Sequence, residues 1–285
     1  MQYEVKFMFW FIEILKSVLF GIVEGITEWL PISSTGHLIL LEEFVKFENV
    51  SENFSEMFNV VIQLGAILAV AVVFFKKIQP FSKKGEVFGI VKRDTLILWC
   101  KIIVACIPAA VVGVLFDDII DAVFYNPLTV GIMLALIGAA FIIVERFNRT
   151  RPARTVSIED LSWKAALGIG LFQLLAAVFP GTSRSGATIL GGLLLGVPRT
   201  VAAEFTFFLG IPVMFGASLL KIVKFGFGFS PMEAVILLIG MAVAFGVSMV
   251  CIRFLMGYVK RHDFKVFAWY RIALGAVVLL YFLVF

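Results

Sequence analysis

"EGITEWLPISSTGH", residues 24–37, sets two glutamates, a run of three hydroxyl residues and a histidine into surroundings that read as lipid-soluble. Pro31 ends the helix this stretch begins, because its ring removes an N–H and clashes with the preceding turn. A second interruption follows at "PGTSRSGAT", residues 180–188. Backbone broken at membrane depth persists only where protein or a watery cavity satisfies its polar groups. The apolar stretches that hold the two interruptions, 8–46 and 161–197, therefore read as re-entrant helical hairpins.

The rest of the chain sets that context. Of 285 residues, 61% are hydrophobic and 15% charged, and the mean hydropathy is +1.04, outside the range of soluble domains. Runs long enough to cross about 30 Å of hydrocarbon lie near 57–75, 95–115, 128–144, 201–220, 232–252 and 266–285. The predicted fold is an all-α polytopic membrane protein, one membrane domain with six spanning helices and the two hairpins. Glu4, Glu13 and the lack of a small-residue cleavage site argue against a removable signal peptide, so the first helix is expected to stay. Cys100, Cys106 and Cys251 lack metal-like spacing and are expected to be inert packing residues. The net charge of +4 comes from basic residues in short loops beside apolar spans, a pattern of membrane orientation and not of nucleic-acid binding.

The chain repeats itself. At an offset of 170 − 21 = 149, Gly21 pairs with Gly170, Glu24 with Gln173, Pro31 with Pro180, Ser33 with Thr182 and Ser34 with Ser183. Leu64-Gly65 matches Leu209-Gly210 at 145. Each half, about 1–148 and 149–285, reads as one hairpin followed by three spans, so an odd number of crossings inverts the second half. Basic residues cluster between spans one and two (Lys76, Lys77, Lys83, Lys84, Lys92, Arg93), after span three (Arg146, Arg149, Arg151, Arg154, Lys164) and after span five (Arg253, Lys260, Arg261, Lys265). The loop 117–121 and the stretch 42–56 are acidic. Basic loops inside put both termini outside, with the hairpin tips meeting near the midplane.

The interrupted segments carry the chemistry. Glu24 and Glu28, four residues apart on a helix, project from one face. Such a pair suits a divalent cation held by oxygen ligands or a general base; intramembrane acids are functional by default. Ser33, Ser34 and Thr35 are natural helix caps, and the same helix start offers free N–H groups and a positive dipole end to phosphate. His37, in the first turn, is a candidate base or ligand. Arg184, among Ser183, Ser185 and Gly186, is placed as a phosphate clamp. Lys101 and Arg271 lie about two turns inside their spans and could snorkel; Glu204 could face the bundle or pair with a basic residue. Gln63 and Gln173 could line the cleft, and His262 sits in a basic loop.

Together the two motifs closely resemble the signature motifs of the bacitracin-resistance type undecaprenyl-diphosphate phosphatases, over essentially the full chain. The resemblance implies hydrolysis of a polyprenyl diphosphate to the monophosphate and inorganic phosphate, recycling the cell-wall lipid carrier, with a divalent cation (Mg²⁺ or Ca²⁺) as cofactor. It assigns functional roles to Glu24, Glu28, Ser34, Thr35, His37 and Arg184. The expected partners are the lipid substrate and membrane lipids, with no nucleic acid; a homo-oligomer is compatible with the sequence. Two mechanisms stay open, attack by Ser34 activated by His37 or a glutamate, and direct attack by water with Glu28 or His37 as base. A transporter or flippase for an anion or lipid phosphate is the rival, because inverted repeats with broken helices also build transporters.

Overall fold

The structure, a computed structural model, describes residues 2–48, 50–82, 87, 90–148, 157–226 and 228–284, with backbone alone for 2–7, 117 and 121. Of the basic residues above, Lys83, Lys84, Arg149, Arg151 and Arg154 lie outside the described residues. In chain order the helices are α1 (Gln2–Thr27), α2 (Ser34–Phe44), α3 (Phe54–Val61), α4 (Gln63–Val73), α5 (Phe75–Ile78), α6 (Arg93–Phe124), α7 (Pro127–Asn148), α8 (Trp163–Val178), α9 (Arg184–Leu194), α10 (Arg199–Phe225), α11 (Pro231–Tyr258) and α12 (Lys265–Val284). Among the described residues, β structure is limited to the isolated bridges of Val91 with Phe81 and Val87.

Six segments are long and apolar enough to cross a bilayer: Phe54–Val73, Arg93–Phe116, Pro127–Asn148, Arg199–Phe225, Pro231–Tyr258 and Lys265–Val284. Each begins within three residues of the start expected from hydropathy. The outer surface is studded with aliphatic side chains such as Leu68, Ile103, Leu136, Leu238 and Leu283, all more than half exposed, as a lipid-facing wall requires. One expectation is corrected: residues 117–121 are not a loop, because α6 runs on to Phe124. The stop comes at Asn126, which precedes Pro127 and is biased away from helical backbone; its side chain caps α7 by accepting from Thr129 N at 2.9 Å.

Both interrupted segments are helical hairpins. α1 meets α2 across the turn at 28–32, and α8 meets α9 across 179–183. The packing of the halves is pseudo-twofold: α1 lies along α11 of the second half as α8 lies along α6 of the first, and the third spans, α7 and α12, lie against each other. The first spans run antiparallel. Glu56, at the start of α3, pairs with Lys221 near the end of α10 at 2.5 Å, while Lys77, just past α4, pairs with Glu204 near the start of α10 at 2.6 Å. These two ion pairs sit at opposite ends of one helix pair and display its antiparallel packing directly.

Close helix approach rests on glycines. A Cβ at Gly65 of α4 would collide with the Met241 backbone of α11, and one at Gly170 of α8 with the Ala105 backbone of α6. Small residues where backbones meet are the usual means of packing helices in lipid, where no hydrophobic force acts between them. Gly113, by contrast, has open space around its missing side chain. Gly65→Val should lower the thermal midpoint of the purified protein by roughly 5 °C or more, because overpacking against backbone cannot relax cheaply. Gly113→Ala should leave the midpoint unchanged or raised; equal effects of the two would refute this account of the packing.

Candidate active site

The second helix of each hairpin, α2 and α9, starts from the same unusual cap. Ser33 (φ 75°) accepts a hydrogen bond from Gly36 N at 3.3 Å, and Ser183 (φ 68°) accepts one from Gly186 N at 3.1 Å. Left-handed backbone at a non-glycine costs on the order of 1–3 kcal/mol and persists only when its surroundings over-determine it. Its occurrence twice, at equivalent caps, ties the hairpin tips to the repeat. The register also changes here: the caps are offset by 183 − 33 = 150, so Ser33 matches Ser183 and not Thr182, and Ser34 matches Arg184. The extra residue in the second tip is accommodated at Gly181 (φ 86°), which packs directly on the Val130 backbone. One structural position thus carries a hydroxyl in the first half and a guanidinium in the second.

These two residues converge on Glu28. Ser34 Oγ donates to Glu28 Oε2 at 2.8 Å, and Arg184 Nη2 donates to Glu28 Oε1 at 2.9 Å. All three are largely buried, so the pair is shielded from bulk screening and depends on its other bonds to offset desolvation. Those bonds exist. Arg184 Nη1 donates to Thr206 O at 2.8 Å, Nη2 lies 3.4 Å from Met214 Sδ, and Cζ sits 5.6 Å from the Trp29 ring centroid. Gly210 makes room for the guanidinium; a Cβ there would meet Nη1 and Nη2 at 2.9 Å.

Ser185 seals the two tips together. Its hydroxyl, buried, lies 3.1 Å from Glu28 O and 3.4 Å from Leu30 O of the first tip. Ser183 Oγ stands 3.1 Å from Ser185 Oγ, and Gly186 offers its N–H to the cap already described. Thr35 is half-buried in the first turn of α2, beside Ser34. Glu28, Ser34, Ser183, Arg184, Ser185 and Gly186 therefore lie at one tip-to-tip junction, with Ser33 and Thr35 beside it.

Glu24 lies one turn before Glu28 and is fully buried; neither carboxylate oxygen has a hydrogen-bond partner among the described residues. An uncompensated buried carboxylate is costly, and a cation is one remedy. No group of three or more His, Cys, Asp or Glu capable of holding a metal occurs among the described residues. Glu24 and Glu28 offer carboxylate oxygens, the donor type that a hard divalent ion prefers.

His37 stands apart from the acids. Nδ1 lies 2.7 Å from Ser33 O and Nε2 2.7 Å from the Tyr270 hydroxyl, with the two rings nearly parallel. A carbonyl only accepts, so Nδ1 carries a proton, and in the neutral ring Nε2 accepts from Tyr270. Among the described contacts, His37 bonds neither Ser34 nor either glutamate. The weaker sequence signals resolve as well. Lys101 is buried and reaches Glu159 O at 3.1 Å, Gln173 is buried at the place matching Glu24, and His262 is exposed. Of the cysteines only Cys106 is buried, and all three are free.

Arg271 corrects an expectation: it does not snorkel but is fully buried at the tips. Thr206, Met214, Tyr270 and Arg271 are the neighbours that lie outside both motifs. A charge two turns inside a span was the one available signal, and it pointed to Arg271.

Comparison with known proteins gives the family. The family description "Bacitracin resistance protein BacA" matches residues 17–277. The undecaprenyl-diphosphatase of Desulfitobacterium hafniense is 61% identical over 271 residues, covering 95% of this chain and 96% of the relative. Undecaprenyl-diphosphatase 1 of Clostridium acetobutylicum is 60% identical over 273 residues (96% and 98%), and an undecaprenyl-diphosphatase of Enterococcus faecalis 59% over 270 residues (95% and 97%). With a family match across nearly its whole length and these identities, the chain belongs to the bacitracin resistance protein BacA family.

Proposed function

We propose that this protein is an integral-membrane undecaprenyl-diphosphatase, hydrolysing the polyprenyl diphosphate to the monophosphate and inorganic phosphate and so recycling the cell-wall lipid carrier. The observation that carries the reading is the chain Ser34–Glu28–Arg184, a nucleophile, a base and a cation joined across the two halves. Passive translocation of an anion has use for the arginine but none for a hydroxyl held by a carboxylate, and the named relatives support hydrolysis over transport.

In the proposed first step Ser34 Oγ attacks the terminal phosphorus, the bridging P–O bond breaks, and polyprenyl monophosphate departs. Glu28 Oε2, already at 2.8 Å, takes the Ser34 proton and passes it to the leaving phosphate oxygen. A substrate phosphate oxygen competes with Glu28 for Arg184, which releases the carboxylate for this task and puts the guanidinium on the transferring group. Water then attacks the phosphoserine phosphorus and the Ser34 Oγ–P bond breaks; Glu28 carries one of the water's protons to Ser34 Oγ, and the other stays on inorganic phosphate. The N–H groups at the starts of α2 and α9, with Ser33, Thr35, Ser183, Ser185 and Gly186 around them, cradle phosphate oxygens. Glu24, with Glu28, would hold Mg²⁺ or Ca²⁺, which when bound neutralises charge on the phosphates. His37 serves as a positioning group for the first cap through Ser33 O in this scheme.

The hairpins re-enter the membrane from opposite sides. The positive-inside bias places both termini outside, with the first hairpin opening outward.

The test is phosphate release from a polyprenyl diphosphate by purified protein in detergent. Wild type should release phosphate and lose the activity to chelator; Glu28→Gln and Arg184→Ala should each lose about 10³-fold or more in kcat. Wild type that folds well yet releases none would move the reading to transport. Gly210→Ala should cost about 10-fold or more in kcat by displacing Arg184, and wild-type turnover in that variant would show that Arg184 need not hold this position.

A further inference from the structure

We infer that Arg271 is the positioning residue of this enzyme: it fastens the tips of both hairpins to one helix and thereby holds Arg184 and Ser34 in register on Glu28. Arg271 lies on α12, outside both motifs, and is fully buried. Nη1 donates to Pro31 O of the first tip at 3.2 Å. Nη2 donates to Gly181 O and Thr182 O of the second, both at 2.9 Å. Arg271 has no carboxylate partner among the described residues, so three carbonyls stand in for a counter-ion.

The reason lies in what a broken helix exposes. Each break presents carbonyls just past the end of its first half and N–H groups at the start of its second. The N–H ends are where a diphosphate binds. The carbonyl ends would repel it, and lipid cannot satisfy them. A single planar guanidinium, with donors fixed in a fork, can occupy carbonyls from both tips at once. An ammonium is a point charge and cannot reproduce that span.

The bracket is rigid. α12 is pressed against α7, where a Cβ at Gly138 would meet Ala268 O at 2.8 Å and Arg271 Cβ at 3.3 Å. The preceding residue, Tyr270, bonds His37 Nε2, so neighbouring side chains of one helix reach three elements of the site. Arg271 itself touches no reacting atom in this scheme; it acts through the tips.

The inference rests on the phosphatase reading, and wild-type turnover in the same assay separates failure of that reading from failure of this one. Arg271→Lys keeps the charge and loses the fork. It should lower kcat about 100-fold, with KM within threefold of wild type and a thermal midpoint within a few degrees. Arg271→Gln, which also leaves the carbonyls without a cation, should lose more and raise KM. The deciding measurement is a double-mutant cycle. In an Arg184→Lys background, Arg271→Lys should add less than a threefold further loss, because the register it protects is already spent. Losses that multiply, together with a lowered midpoint, would make Arg271 a structural residue only. A raised KM with unchanged kcat in Arg271→Lys would make it a substrate contact, and activity within twofold of wild type would remove it from the site. If neither variant folds, the role is structural and the inference fails.

Discussion

A helix interrupted inside a membrane leaves backbone N–H and C=O groups that hydrocarbon cannot satisfy, and the rest of this structure is organised around that debt. Each tip answers part of it alone, through the serine caps at Ser33 and Ser183. The remainder is answered only by bringing the tips together. Ser185 reaches the carbonyls of Glu28 and Leu30, and Arg271 gathers carbonyls from both tips. What makes the breaks tolerable also builds a site, since the N–H ends left over are suited to an anion.

Inversion gives that meeting its chemistry. Two tips related by a pseudo-twofold present equivalent backbone, so the division of labour comes from side chains at matched positions. Ser34 faces Arg184 across the repeat, and Glu24 is matched by the neutral Gln173. One half supplies the hydroxyl and the acids, the other the cation, and neither half holds a complete constellation. The ion pairs Glu56–Lys221 and Lys77–Glu204 lock the first spans antiparallel at both ends. Both join a buried or half-buried group to a more exposed one, so each contributes modestly; their value is in fixing register.

Much of this was legible in the sequence, for identifiable reasons. Hydropathy is a property of local runs, so all six spans and both breaks could be placed to within a few residues. The motif residues could be named because carboxylates, hydroxyls and an arginine at membrane depth have few bland explanations. The repeat was visible, but its register past the proline was not. An extra residue at Gly181 shifts the alignment by one, and only the caps reveal which serine matches which. His37 was named a candidate base or ligand from its place in the first turn of the helix; its bond to Tyr270 could not be read from that motif. Tyr270 lies 233 positions from His37, and Arg271 lies 240 from Pro31, 90 from Gly181 and 89 from Thr182. Contacts of that range leave no local pattern, and a buried arginine in an apolar helix looks, by hydropathy, like a snorkelling one.

The central claim is that Ser34 of one half is the nucleophile, held by Glu28 against the cation of the other half. Acid quench of wild-type protein during the first turnover of a polyprenyl diphosphate, followed by mass spectrometry of the peptide containing residue 34, tests it most directly. A phosphoryl group on Ser34 that forms and decays at rates compatible with turnover is the predicted result. Turnover with no phosphopeptide at any quench time, together with wild-type rates in Ser34→Ala, would contradict the account and leave direct attack by water as the chemistry of this site.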